Sequence, residues 1–163
     1  MALQTNPFEK DADRHAIWEM LVARDIRAFV NADWNLVADD FVASGFVGVQ
    51  ASKSANPDLW SVGFPNLETY KTEWLRQAQE TAATPFAEDL EAAIHAATRL
   101  DQIDFNGDMA MAHKKFDGSI KRQDGSCDEL HWQTLYLCRK ELGRWEIAGF
   151  VGYMAYPGSS MAV

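Results

Sequence analysis

Cysteine is nearly missing from this chain. Cys127 and Cys138 are its two, too few for a disulfide framework and not at a metal-ligand spacing. Basic residues are also in deficit, with 15 Lys and Arg against 24 Asp and Glu for a net charge of −9. An acidic surface repels phosphate backbones and anionic headgroups, which argues against nucleic acid and membranes as partners. No apolar run reaches the length that spans a bilayer. The first ten residues carry neither the basic nor the apolar segment of a secretory signal. Together these absences predict a cytoplasmic protein with reduced thiols. Gly-rich phosphate loops, nucleophile elbows and Cys/His nucleophile patterns are lacking too, and no cofactor is expected.

What the chain has is aromatic and apolar. Its 163 residues suit one domain with a sizeable core, and 47% of them are hydrophobic. Aromatics reach 12%, including six Trp, a level that points to either an aromatic-lined cavity or an aromatic core. The longest regular pattern runs from Glu129 to Met154. Leu130–Arg139 is rich in bulky residues, Lys140–Gly143 is a short Gly-containing connection, and Arg144–Met154 alternates Trp145, Ile147 and Val151 with other residues. Two such runs predict a long antiparallel hairpin, and strands bulky on both faces must be covered on both sides.

Residues 1–10 read as a flexible arm, 11–156 as the domain and 157–163 as a tail. Asp11 or Asp13 can cap a helix running to about Asn31. At 100° per residue, Trp18, Leu21, Val22 and Phe29 fall on one side, flanked by Ile17 and Ala28. Asp33 can cap a short second helix in which Trp34, Val37, Ala38 and Phe41 share a face. Ser44–Val49 is a short strand. Gln50–Pro65 reads as a long loop carrying Trp60 and Phe64, and such loops usually fold over something. Asn66 caps a third helix whose buried face holds Leu67, Tyr70, Trp74 and Ala78. From Glu88 onward helical spacing (Leu90, Ala93, Ile94, Ala97) competes with strand alternation. The reading adopted is a strand from about Ile94 to Phe105, with a short helical turn possible before it. Asn106-Gly107 then turns into a strand from Met109 to Ile120, and Asp124-Gly125 into the long hairpin. Helices followed by a meander give an α+β domain.

This order, with Ala28-Phe-Val-Asn-Ala-Asp-Trp34, Asp39-Asp40-Phe41 and the hairpin segment Leu135–Ile147, resembles the NTF2-like superfamily, in particular its SnoaL-like branch. That branch includes small polyketide cyclases, ketosteroid isomerase and scytalone dehydratase. The resemblance covers about residues 11–155. It implies a cystatin-like cone, with three N-terminal helices on a curved, mostly antiparallel sheet, an apolar pocket at the wide end, and often a homodimer through the outer sheet face. The carboxylate positions of ketosteroid isomerase fall near Gly45 and Leu135, and its tyrosine near Ile26. None of the three carries over, and the His-Asp relay of scytalone dehydratase has no matching motif.

Chemical candidates follow from position. Asp25 projects from the apolar stripe of the first helix. A carboxylate there is costly unless it is paired or faces a polar cavity, so it reads either as a pocket acid or base or as one half of a salt bridge, for instance to Arg99. His131 and Gln133 share a strand face that the resemblance turns toward the pocket, with His113 on the neighbouring strand, while Trp132, Thr134 and Tyr136 would face a partner subunit. The bland alternative for His131 is a solvent or interface histidine. Three histidines on adjacent strands could suggest a metal, but no His-x-His occurs and no metal is expected. The resemblance also implies that Trp34, Trp60, Phe64 and Tyr70 line or cover the pocket mouth; for Trp74 plain packing is the better reading. The function expected is isomerisation, dehydration or cyclisation of a small, mostly apolar carbonyl compound, with Asp25 and His131 as acid–base pair and ligand contacts from Trp34, Trp60, Phe64, Tyr70, His113 and Gln133. The alternative is a non-catalytic small-molecule-binding or dimeric assembly module.

Overall fold

A computed structural model describes residues 3–156 of the chain; the expected tail at 157–163 lies outside the described residues. The first helix opens where Asp11 accepts the Arg14 backbone N–H at 3.1 Å, relieving one of the unpaired donors of a helix start. It continues as α1 (Ala12–Trp18), a π-helical segment (Glu19–Arg24) and α2 (Asp25–Val30). Two short 3₁₀ turns follow, Trp34–Leu36 under an Asp33 cap and Ala38–Asp40. Asn66 caps α3 (Leu67–Ala82) and Asp89 caps α4 (Leu90–Ala97). Residues 3–10 have no regular structure, but Gln4 donates to the His95 and Thr98 carbonyls and Asn6 to the His15 carbonyl.

The sheet has six strands in the order β2-β1-β6-β5-β4-β3: β1 (Val47–Gln50), β2 (Ser61–Phe64), β3 (Thr98–Asn106), β4 (Met109–Lys121), β5 (Cys127–Glu141) and β6 (Arg144–Met154). Among the strands of the described residues, β1 and β6 pair in parallel and the other neighbours antiparallel. Leu142 and Gly143 both have positive φ, at 53° and 75°, the conformation of a two-residue turn matched to strand twist. The helices pack on the concave face, where Ile17, Trp18, Leu21, Val22, Ile26 and Trp74 join Ile103, Tyr136, Ile147 and Phe150 in one core. The architecture is α+β, helices on a curved and mostly antiparallel sheet.

Three expectations are corrected. Residues 94–97 are helical, and the strand starts at Thr98. The Leu90, Ala93, Ile94 and Ala97 spacing prevails because α4 buries this face against β4, and Thr98 Oγ1 donates to the Ile94 carbonyl at 2.7 Å to close the last turn. The 50–65 segment is not simply a loop, since Ser61–Phe64 pairs with β1 as an edge strand. The faces of β5 are reversed. Thr134, Tyr136 and Cys138 are buried, opposite Lys114, Ala112 and Ala110 of β4, while His131, Gln133 and Leu135 lie opposite Asp117, Lys115 and His113 on the outer face. A one-residue slip exchanges the faces of a whole strand.

Candidate functional site

The π-helical segment determines how the pocket floor is built. At its end the Asp25 N–H bonds to the Val22 carbonyl, so the Leu21 carbonyl loses the donor it would have in an α-helix. Lys114 reaches across from the centre of β4 to this turn. Its Nζ donates to the Leu21 carbonyl and, at 3.0 Å, to Asp25 Oδ2. The Lys114 side chain is 1% exposed and that of Asp25 29%, so the ammonium is buried and the carboxylate opens toward the cavity. An ammonium has three N–H donors, and among the described residues two of Lys114's have partners. The nitrogen also borders the cavity, between two aromatic rings, with Nζ at 5.2 Å from the Phe116 centroid and 5.9 Å from that of Tyr136.

Above this floor is a cavity of about 150 Å³ bordered by α2, α3, α4 and strands β2, β4, β5 and β6. A closed apolar cavity of that size takes a benzene-sized molecule. One wall is a continuous aromatic surface: Phe116 stacks on Trp132 at 4.7 Å between centroids and Trp132 lies 5.4 Å from Tyr153. The opposite wall packs Tyr70 against Phe150 at 4.9 Å and Phe64 against Tyr70 at 5.4 Å. At the rim, the Tyr153 hydroxyl donates to Gln77 Oε1 at 3.0 Å, and Gln77 Nε2 donates to Glu73 at 3.2 Å. Burial pushes the hydroxyls of Tyr70 and Tyr136 well above the ordinary phenol range, and the nearby Asp25 charge adds to the rise. Both therefore stay protonated and can act as hydrogen-bond donors. Such convergence of a few polar groups in an apolar cleft makes this pocket the candidate site.

Of the site residues expected from the sequence, Asp25, Phe64 and Tyr70 line this pocket, and Trp74, read as packing, lines it too. The others are elsewhere. His131 Nδ1 lies 3.0 Å from Asp117 on the outer face, and His113 Nε2 lies 3.0 Å from Asp104 on the same face. Gln133 donates to the Ala155 carbonyl at 2.7 Å. Trp34 is core, stacked on Phe41 at 5.0 Å. Trp60 is held by its own loop, its indole N–H donating to the Ser54 carbonyl. Asp25 does pair with a base, but that base is Lys114; Arg99 points outward to Asp101 and Tyr156.

The sequence reading missed Lys114, Trp132, Thr134 and Tyr136. A signal for the lysine was present: Ala110, Ala112, Lys114 and Phe116 share one parity, which sets a charge within an otherwise apolar strand face. Among the described residues no three His, Cys, Asp or Glu side chains gather as a metal site, and no helix is long and apolar enough to cross a membrane.

No family model and no curated protein matches the sequence. Solved structures do. A conserved protein from Planctomyces limnophilus DSM 3776 is 16% identical with a TM-score of 0.58, over 88% of this chain and 95% of that one. An NTF2-like protein of unknown function from Shewanella baltica OS155 is 14% identical with a TM-score of 0.52, over 86% and 91%. An NTF2-like protein with a cystatin-like fold from Novosphingobium aromaticivorans is 15% identical with a TM-score of 0.52, over 93% and 86%. At these identities the likeness establishes the fold, and the fold is NTF2-like.

Proposed function

We propose that this chain, NTF2-like in fold, is an enzyme of the SnoaL-like kind that performs acid–base chemistry on a small, mostly apolar carbonyl compound. The observation that carries the reading is the Lys114–Asp25 pair at the floor of an aromatic pocket. A carbonyl oxygen resting at the free N–H of Lys114 would be polarised by a buried ammonium, and a preorganised donor of this kind acts most strongly where water is excluded. The Asp25 carboxylate beside it would then take a proton from the carbon next to the carbonyl. The protonated Asp25 would return it at another carbon, with the Tyr136 hydroxyl able to hydrogen-bond the oxygen. Isomerisation, dehydration and cyclisation all share that first proton transfer.

The test does not need the natural substrate. Acetophenone in deuterated buffer reports the transfer as deuterium gained at its methyl group, read by mass spectrometry. Wild-type protein should accelerate the exchange, and Asp25→Asn should reduce the gain by about a hundredfold. Exchange no faster than in buffer alone across a set of small aryl ketones would remove the reading. The alternative, a pocket that binds such molecules without turning them over, would then be left.

The outer sheet face suggests the assembly. Met109, Met111, Leu137 and Val47 are exposed there, and Met111, Leu137, Gly149 and Val47 are successive cross-strand neighbours. A band of this kind supports a homodimer through the outer face. Light scattering should give the mass of two chains, falling to one in Leu137→Glu. Free Cys127 and Cys138 fit action in the reducing cytoplasm.

A further inference from the structure

We propose that Lys114 is a nucleophile, and that its amine condenses with the carbonyl of a benzaldehyde-sized aldehyde or ketone to form an imine. The proposal deepens the acid–base reading, on which it rests for the identity of the pocket. Its basis is the arrangement around one nitrogen. Lys114 Nζ has a carboxylate at 3.0 Å, a backbone acceptor at Leu21 and an open side toward the cavity. A lysine held only for charge would be better placed where water can reach it, and a hydrophobic side chain of the same volume on this face would be at least as stabilising as the ion pair. Aromatic rings lie on two sides of this nitrogen and narrow the approach of water to an imine formed there. The partly exposed Asp25 can pass protons between the amine and solvent.

The step balances within the residues present. Asp25 takes one proton from the Lys114 ammonium, and the freed nitrogen lone pair forms the C–N bond as the carbonyl π pair moves onto oxygen. That oxygen is protonated by the acid form of Asp25, giving a carbinolamine. Asp25, again a carboxylate, takes a second proton from the nitrogen and passes it to the hydroxyl, which leaves as water as the nitrogen lone pair forms the C=N bond, protonated and beside the carboxylate. One amine and one carbonyl give one imine and one water, with no change of oxidation state.

The experiment uses the full chain, benzaldehyde as probe and sodium borohydride to reduce any imine to a stable secondary amine. Intact mass should show a single benzyl group added, and peptide mapping should find it on Lys114. Lys114→Arg, which keeps a cation for Asp25 but has no comparable nucleophile, should lose the adduct with its circular dichroism spectrum unchanged. Asp25→Asn should slow labelling by about a hundredfold. Labelling scattered over surface lysines with the Lys114 peptide unmodified overturns the proposal, whether or not the variants fold. Acetophenone exchange that persists in that case leaves the acid–base reading standing with a non-covalent Lys114. A Lys114 adduct without exchange upholds the nucleophile and removes the acid–base reading.

Discussion

His113 and Lys114 are neighbours in sequence and each lies 3.0 Å from a carboxylate, yet they sit in different solvents. His113 points to the outer face, where its partner Asp104 is 55% exposed; Lys114 points inward and is 1% exposed. The same strand therefore carries two carboxylate contacts of equal length and unequal consequence. Outside, water already solvates both partners, and the pair adds little. Inside, removing either partner leaves the other with whatever solvent it can reach, and the two partners do not reach it equally.

That inequality gives the largest effect. Asp25→Ala strands an ammonium with no counter-charge in an aromatic pocket and should cost about 3 kcal/mol in urea unfolding. Lys114→Met leaves Asp25, which is partly exposed and can be hydrated, and should change stability by about 1 kcal/mol or less. The double variant Asp25→Leu with Lys114→Met should recover most of what Asp25→Ala loses. Equal losses for the two single variants would mean that the carboxylate is as dependent on the pair as the amine, contrary to the exposure difference.

A second inner group sharpens the contrast through pH. His95 of α4 is buried, and its Nδ1 has no partner among the described residues. Burial lowers its pKa, with Lys114 and Arg27 adding to the fall and Glu91 opposing it. The folded protein therefore keeps His95 neutral, whereas the unfolded chain takes up a proton at the ordinary imidazole value of 6.5. The contribution to stability is complete above 6.5 and is lost as pH falls from there toward the lowered folded value. Wild-type protein should show a declining unfolding free energy below that pH, and His95→Gln should flatten the decline. A slope unchanged by the substitution would assign it to other groups.

The same contrast explains what could be read from the sequence. The first helix and α3 were legible because caps and apolar period agree: Asp11 and Asn66 stand where an N-cap must, and Trp18, Leu21, Trp74 and Ala78 repeat at helical spacing. The turns before β4 and after it were marked by Gly107 and Gly125, both at positive φ. Which face of β5 points inward was not legible. Leu135 and Leu137 on one parity look as apolar as Tyr136 and Cys138 on the other, because the outer face carries an exposed apolar band of its own. Asp25 could be found because one helix displays its whole stripe in sequence. Its partner could not, because Lys114 is 89 residues away and pairing between helix and strand depends on a register that neither element specifies alone. The π-helical turn whose Leu21 carbonyl accepts from Lys114 has no sequence signature.

The smallest effects are expected on the outer face. His131 lies 3.0 Å from Asp117, whose side chain is 62% exposed, and Tyr156 packs against its ring. His131→Gln should change stability by about 0.5 kcal/mol or less, and His113→Gln likewise, since exposed pairs are typically worth about 0.2–1 kcal/mol and are screened by salt. Neither change should alter acetophenone exchange, because neither ring lines the pocket. The two substitutions are therefore the control for the inner pair: each removes a side chain that lies, like Lys114, 3.0 Å from an aspartate, but on the other side of the sheet. Loss of exchange in His131→Gln with the fold intact would mean that the chemistry reaches the outer face, and the division between the two faces would fail.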